Sequence, residues 1–345
     1  FPALGVNIIQ IEIGPNSTEP SEGVVTDQPV RDYIGRALAL GEQHNVMICW
    51  LGSAHYFPGW ALEKWPDLSK GGGGFLHYTV DAPQARQILQ THFETSMRVL
   101  TDSPALHSVC LTNEPIYTEW KDDPFRLPLW HEYLQRTHGT VEQLNAACGT
   151  TYASFDDIPI LPTNELPPEP EMTPLLYDQT RFNMEQFAAF HKFMSDAVKR
   201  VKPTAWTHAK VMNVTHSRRN LAWGCDPEQF AYLGDLNGND CWHMFADFGE
   251  QYAADWLPQN LYYDLQFSLR RVPVVNTENH IIRDREQRLI PPEHTDCALF
   301  QGAIHGLGAS TIWVWERTYD RASDFEGSIL HRPENAALKI AGAVV

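Results

Sequence analysis

No stretch of this 345-residue chain approaches the unbroken apolar length that crosses a bilayer, and its start has no basic segment followed by a hydrophobic one. Membrane is not an expected partner. Positive charge is scarce: 26 Lys and Arg stand against 43 Asp and Glu, a formal charge of -17 that repels a phosphate backbone. Nucleic acid is excluded on the same ground. The six cysteines, Cys49, Cys110, Cys148, Cys225, Cys241 and Cys297, form no Cys-x-x-Cys pair, and no His-x-His or His-Glu-x-x-His pattern occurs. No metal site is expected. The G-x-G-x-x-G turn of dinucleotide-binding sheets is also missing; the Gly71–Gly74 run follows Lys70 in a loop and reads as a flexible lid. Cys49, Cys110 and Cys241 lie inside apolar runs, where free cysteine behaves as a small hydrophobe. This tilts an otherwise open localisation weakly toward the cytoplasm, although Phe1 in place of Met leaves room for a removed export signal.

With 43% hydrophobic residues the chain can bury a large core, and 1–345 is read as a single domain. Short apolar runs alternate with helical patterns throughout, the order of βα units around a parallel sheet. Strands are predicted at Val6–Ile13, Val46–Leu51, Ser108–Thr112, Ala205–Val211, Leu236–Trp242, Val272–Asn276 and Thr311–Val314. Apolar residues three and four apart predict helices at Val30–His44, Ala82–Leu100, Phe182–Val201, Trp256–Arg271 and Glu293–Leu307. Shorter helices are expected at Leu127–Thr137 and Val141–Ala147. The pattern predicts a (β/α)8 TIM barrel lacking its first strand. Phe1–Gly5 reads as the tail of a helix leading into the second strand, so the biological chain is expected to extend N-terminally. Long connections at 52–81 and 115–180, the third and fourth of the full barrel, would roof one end.

Two apolar stretches run straight into a glutamate. His-Ser-Val-Cys-Leu-Thr-Asn-Glu-Pro reaches Glu114, and Val-Pro-Val-Val-Asn-Thr-Glu-Asn-His reaches Glu278. Barrel enzymes carry their chemistry at the C-terminal ends of strands. Either residue alone could be a surface carboxylate opening a loop. Together they match what glycosidic cleavage requires: one carboxyl to protonate the leaving oxygen, another to meet the positive charge growing at the anomeric carbon.

Leu-Thr-Asn-Glu-Pro at Leu111–Pro115 resembles the acid/base strand of clan A glycoside hydrolases, whose fourth barrel strand ends in Asn-Glu and whose seventh ends in the nucleophile Glu. Within Leu129–Ile158, the stretches Leu-Trp-His-Glu-Tyr-Leu, Thr-His-Gly-Thr and Leu-Asn-Ala-Ala-Cys-Gly-Thr are similar to the segment after the acid/base in family 42 β-galactosidases. Leu176–Val201 resembles that family's next helix. The resemblance implies a retaining β-glycosidase acting on β-galactosides or related β-linked sugars, with Glu114 as general acid/base and Glu278 as nucleophile. Asn113 would hydrogen-bond the hydroxyl beside the anomeric carbon. The two carboxyls would stand about 5 Å apart, and no metal or organic cofactor is implied. The substrate would be an oligosaccharide or polysaccharide-derived glycoside, and a homo-oligomer is compatible with the family's habits.

Some positions depart from the family pattern. Pro115 stands where the family has an aromatic residue. Thr-Ile-Trp-Val-Trp-Glu-Arg resembles a Phe-Gln-Trp-Arg pattern that makes Trp315 the sugar platform, with Trp313 on the same face. The family's far-end Glu and His have only Glu326 and His331 nearby, at another spacing, which leaves galactose specificity open. His55, Trp60, Asn213, Trp242 and His243 fall at or near strand ends and join the substrate-binding candidates, each weighed against a structural role; Trp60 and Trp65 could equally anchor their loop. Alternative readings are a β-mannosidase, a β-glucosidase, an endo-acting clan A glycosidase, or a catalytically inactive sugar-binding barrel.

Overall fold

The structure, a computed structural model, describes residues 1–161, 173–216, 220–241, 257–281 and 292–313. Seven strands form one parallel sheet: β1 (Ile8–Glu12), β2 (Met47–Leu51), β4 (Leu106–Asn113), β6 (Thr207–Met212), β7 (Asn237–Asp240), β8 (Val274–Asn279) and β9 (Leu307–Ile312), hydrogen-bonded in that order. The first and last strands of this row lie against each other, so the sheet curls into a nearly closed barrel. This is the TIM-barrel architecture with seven strands in the described residues, as the sequence pattern predicted.

Helices pack outside for the reason their spacing announces. Pro83–Leu100 opens with proline in its first turn and buries Ala85, Ile88, Leu89, Phe93, Met97 and Leu100, a repeat of three and four. Thr173–Val201 begins nine residues before its predicted start, burying Phe182, Phe187, Phe190 and Met194 along one side. The last described helix, Pro292–Ile304, stops short of Leu307, which opens β9. Inside the barrel the lower layer is polar as well as apolar: Cys49 Sγ accepts from Gln10 Nε2 at 3.4 Å, and Ser108 Oγ lies 3.4 Å from His208 Nε2. Gly238 makes room for that histidine, since a Cβ there would meet His208 Nδ1 at 2.4 Å.

The glycine run corrects the sequence reading. Gly72–Gly74 is a strand, β3, paired antiparallel with β5 (Pro115–Glu119), which continues directly from β4. Glycine is needed for close approach here rather than for mobility. A Cβ on Gly73 would stand 2.8 Å from the Thr118 amide nitrogen, and one on Gly71 would stand 2.3 Å from the Tyr117 hydroxyl. Part of the long connection expected at 115–180 lies outside the described residues.

A buried carboxylate ties this small sheet to the roof. Asp123 accepts from the Tyr117 hydroxyl at 2.9 Å, from the amides of Phe125 (2.9 Å) and Arg126 (3.2 Å), and from the Thr79 hydroxyl. Arg126, fully buried, lies over the Tyr117 ring and 3.4 Å from Asp81. Asp123→Ala strands several buried donors at once. It is expected to cost about 3 kcal/mol of stability, read as a lower urea midpoint with unchanged slope.

Candidate active site

The C-terminal strand ends of the barrel bring together four charged side chains. Two ladder irregularities aim them. In β4 the register shifts between Cys110 and Asn113, and in β8 between Asn276 and Asn279. Below the first shift Cys110 sits beside Cys49 in the lumen, whereas Thr112 hydrogen-bonds His191 of an outer helix at 2.8 Å. Below the second, Asn276 faces outward to the Tyr263 hydroxyl at 2.8 Å. Simple alternation from Asn276 would send Glu278 outward too; the shift turns it inward, and Asn276 Oδ1 steadies it by accepting from the Glu278 amide at 3.2 Å.

Glu278 is 6% exposed and gripped from both sides. Lys210 Nζ, from β6, donates to its Oε2 at 2.6 Å, and His280 Nε2 lies 3.2 Å from its Oε1. Burial alone would raise this carboxyl's pKa, but the Lys210 charge and the His280 hydrogen bond outweigh it and hold the value at about 2. Lys210 is raised in turn, because the Glu278 charge overcomes the burial that would lower it. The same ammonium donates to Asn113 Oδ1 at 2.8 Å.

Glu114 is shifted the other way. Burial raises its pKa first and the Glu278 charge adds to this, against a hydrogen bond to Asp240 and the charges of Lys210 and His280. Its backbone has φ +40, in the left-handed region and directly before Pro115, where extended conformations are favoured. That corner stores about 1–3 kcal/mol of strain and turns β4 into β5 with the carboxyl over the barrel mouth. Asp240 closes β7 between the two glutamates. No N–H or hydroxyl among the described residues donates to either of its oxygens, so its bond with Glu114 requires one carboxyl of the pair to keep a proton. Burial, Glu278 and Glu114 all push Asp240 well above the ordinary carboxylate range.

Asp240, Glu278 and His280 each place one donor atom within 4.8 Å of the others. A cation there would face the Lys210 ammonium, which already neutralises Glu278 from 2.6 Å. The donor set therefore suits proton chemistry better than a metal ion.

Of the other candidates, His55 stands near this centre, its ring between Tyr56 and Phe75 and its pKa lowered by burial against the charges of Glu12 and Glu278. Asn213 begins the turn after β6, with its buried Oδ1 unpartnered among the described residues. Trp60 is a loop anchor: its indole donates to the Glu19 carbonyl at 2.9 Å and its ring packs on Trp65. Trp313 follows β9 with its ring 5.9 Å from His280, bringing an aromatic surface to the site. Trp242, His243, Trp315, Glu326 and His331 lie outside the described residues. Two residues were not foreseen. Lys210 carried a signal, a lone charge inside an apolar strand, which a buried position makes costly unless paired. Asp240 was hidden by the more conspicuous Trp242 and His243 beside it.

The sequence profile of glycoside hydrolase family 42, described as β-galactosidase, matches residues 1–324. A β-galactosidase from Arthrobacter sp. is 24% identical over 301 residues, covering 74% of this chain and 41% of its own. Among solved structures, a catalytic mutant of a family 42 β-galactosidase from G. stearothermophilus superposes with TM-score 0.83 at 17% identity, over 99% of this chain and 52% of that one. An apo exo-carrageenase of the same family from Bacteroides ovatus gives TM-score 0.80 at 20% identity, over 98% and 48%. The chain thus spans about half the length of these relatives.

Proposed function

The chain belongs to glycoside hydrolase family 42, the β-galactosidase family, and from that premise we propose that it hydrolyses β-galactosides or closely related β-linked sugars with retention of configuration. One observation carries this reading: two strand-end carboxyls of one cluster are driven apart, Glu278 held ionised near 2 and Glu114 pushed upward. In the first step Glu278 attacks the anomeric carbon while the Glu114 proton passes to the departing oxygen. In the second, Glu114 takes a proton from water, which displaces Glu278 from the sugar. Asn113 meets the hydroxyl on the adjacent carbon, and His55, Asn213 and Trp313 line the approach. Two carboxyls and a water carry every proton and bond change, so the scheme calls for no cofactor.

In a dinitrophenyl 2-deoxy-2-fluoro-β-galactoside the fluorine slows both steps, while the activated leaving group keeps the first fast enough for the glycosyl-enzyme to accumulate. This compound is expected to inactivate the protein with time, and peptide mass mapping should find the sugar on Glu278. Labelling elsewhere, or turnover of aryl α-galactosides in preference to β, would reject the reading. A panel of aryl β-glucoside, β-mannoside and β-galactoside ranks the sugars by kcat/KM.

A further inference from the structure

Lys210 does more than double displacement requires. Its side chain is 1% exposed, and its ammonium reaches Glu278 Oε2 and Asn113 Oδ1 together, at 2.6 and 2.8 Å. An ammonium has three donors and no acceptor, so the Asn113 atom facing it must be the amide oxygen. The NH2 group is then turned away from the ammonium, and no described residue accepts from it.

We propose that Lys210 is a positioning residue that locks Glu278 and Asn113 into one hydrogen-bonded unit and thereby selects sugars with a free hydroxyl on the carbon next to the anomeric centre. This rests on the double-displacement reading for the roles of Glu278 and Asn113. With only donors on offer from Asn113, that hydroxyl must accept through its oxygen, which frees its own proton to point at the Glu278 carboxylate. The result is a one-way chain of hydrogen bonds, each link polarising the next. An unclamped amide could turn its oxygen to the sugar instead, reversing the chain and placing one more acceptor beside an anion.

The charge acts as well. Glu278 is faced by Lys210 from β6, Asp240 from β7, Glu114 at the end of β4, His55 beyond β2 and His280 just past the end of its own strand. Lys210 is the permanent cation of that set. Removing it raises the pH at which Glu278 protonates, so activity is lost sooner as pH falls.

The test is Lys210→Met, assayed by kcat/KM against pH on an aryl β-galactoside and on its 2-deoxy counterpart. The acidic limb should rise by about one pH unit or more, and the penalty for lacking the hydroxyl should shrink by about tenfold relative to wild type, a coupling of about 1.4 kcal/mol. A purely structural lysine would lower both substrates alike and leave the limb in place, which overturns the proposal. Lys210→Gln keeps the donors without the charge and carries the test if the Met variant does not fold: its limb should rise with the penalty intact, and an unmoved limb overturns the electrostatic role. Failure of the wild type to take the fluorosugar on Glu278 rejects the double-displacement reading itself. A labelled wild type with an unaltered Lys210→Met profile rejects only the assignment to Lys210.

Discussion

Glu278→Ala is expected to lower kcat on an aryl β-galactoside by more than about 10⁴-fold, with azide restoring part of the turnover. The sugar released in azide should be the α-glycosyl azide, of opposite configuration to the substrate, because the small anion enters from the face the carboxylate vacated. The variant should also be less stable. Glu278 is the ionic partner of a buried lysine, and removing one member of such a pair leaves the other charge uncompensated at a cost of about 3–5 kcal/mol. Glu278→Gln, which keeps volume and a hydrogen-bond acceptor, separates the effects: it should recover much of the stability and none of the azide-free activity. Full activity in either folded variant would end the nucleophile assignment.

Glu114→Ala makes a contrasting prediction, because a missing acid matters in proportion to how badly the leaving group needs a proton. On an alkyl or oligosaccharide β-galactoside the loss should reach about 10²–10⁴-fold in kcat/KM. With a dinitrophenyl leaving group the first step should survive and the glycosyl-enzyme should accumulate, visible as a burst. Azide then speeds its breakdown and yields the β-azide, the mirror of the Glu278 result. The pH profile supplies a further check. Glu114 must be protonated to begin the cycle, and burial beside Glu278 raises its pKa, so the basic limb of the wild type should lie above that of an ordinary carboxyl. That limb should vanish for the dinitrophenyl substrate in the variant, and its persistence would assign the acid elsewhere.

The acidic pair was legible in the sequence because it obeys a rule of position: a polar residue that closes an apolar run in a barrel stands at the end where chemistry occurs. The barrel itself followed from the alternation of periods, and strand ends fell within a few residues of their predicted places. What the periods concealed were the places where they break. The irregularities beneath Glu114 and Glu278 depend on neighbours far along the chain, Lys210 for one, and a period-two pattern cannot announce its own interruption. The glycines at 71–74 misled for a related reason. Glycine marks either freedom or crowding, and only the proximity of Tyr117 and Thr118 reveals that it is crowding here. Lys210 shows the converse, a residue whose unfavourable burial was visible but whose partners, 68 and 97 positions distant along the chain, were not.

The corner at Glu114 has a broader implication. One residue, Glu114, separates the barrel wall from the two-stranded sheet, and it is the proposed proton donor. Roof and donor are mechanically one lever, so reshaping the roof near Pro115 to admit a different glycan also re-aims the acid. On the proposed roles, an engineer transplanting such a cover between barrels would do best to cut beyond Glu119, where β5 ends.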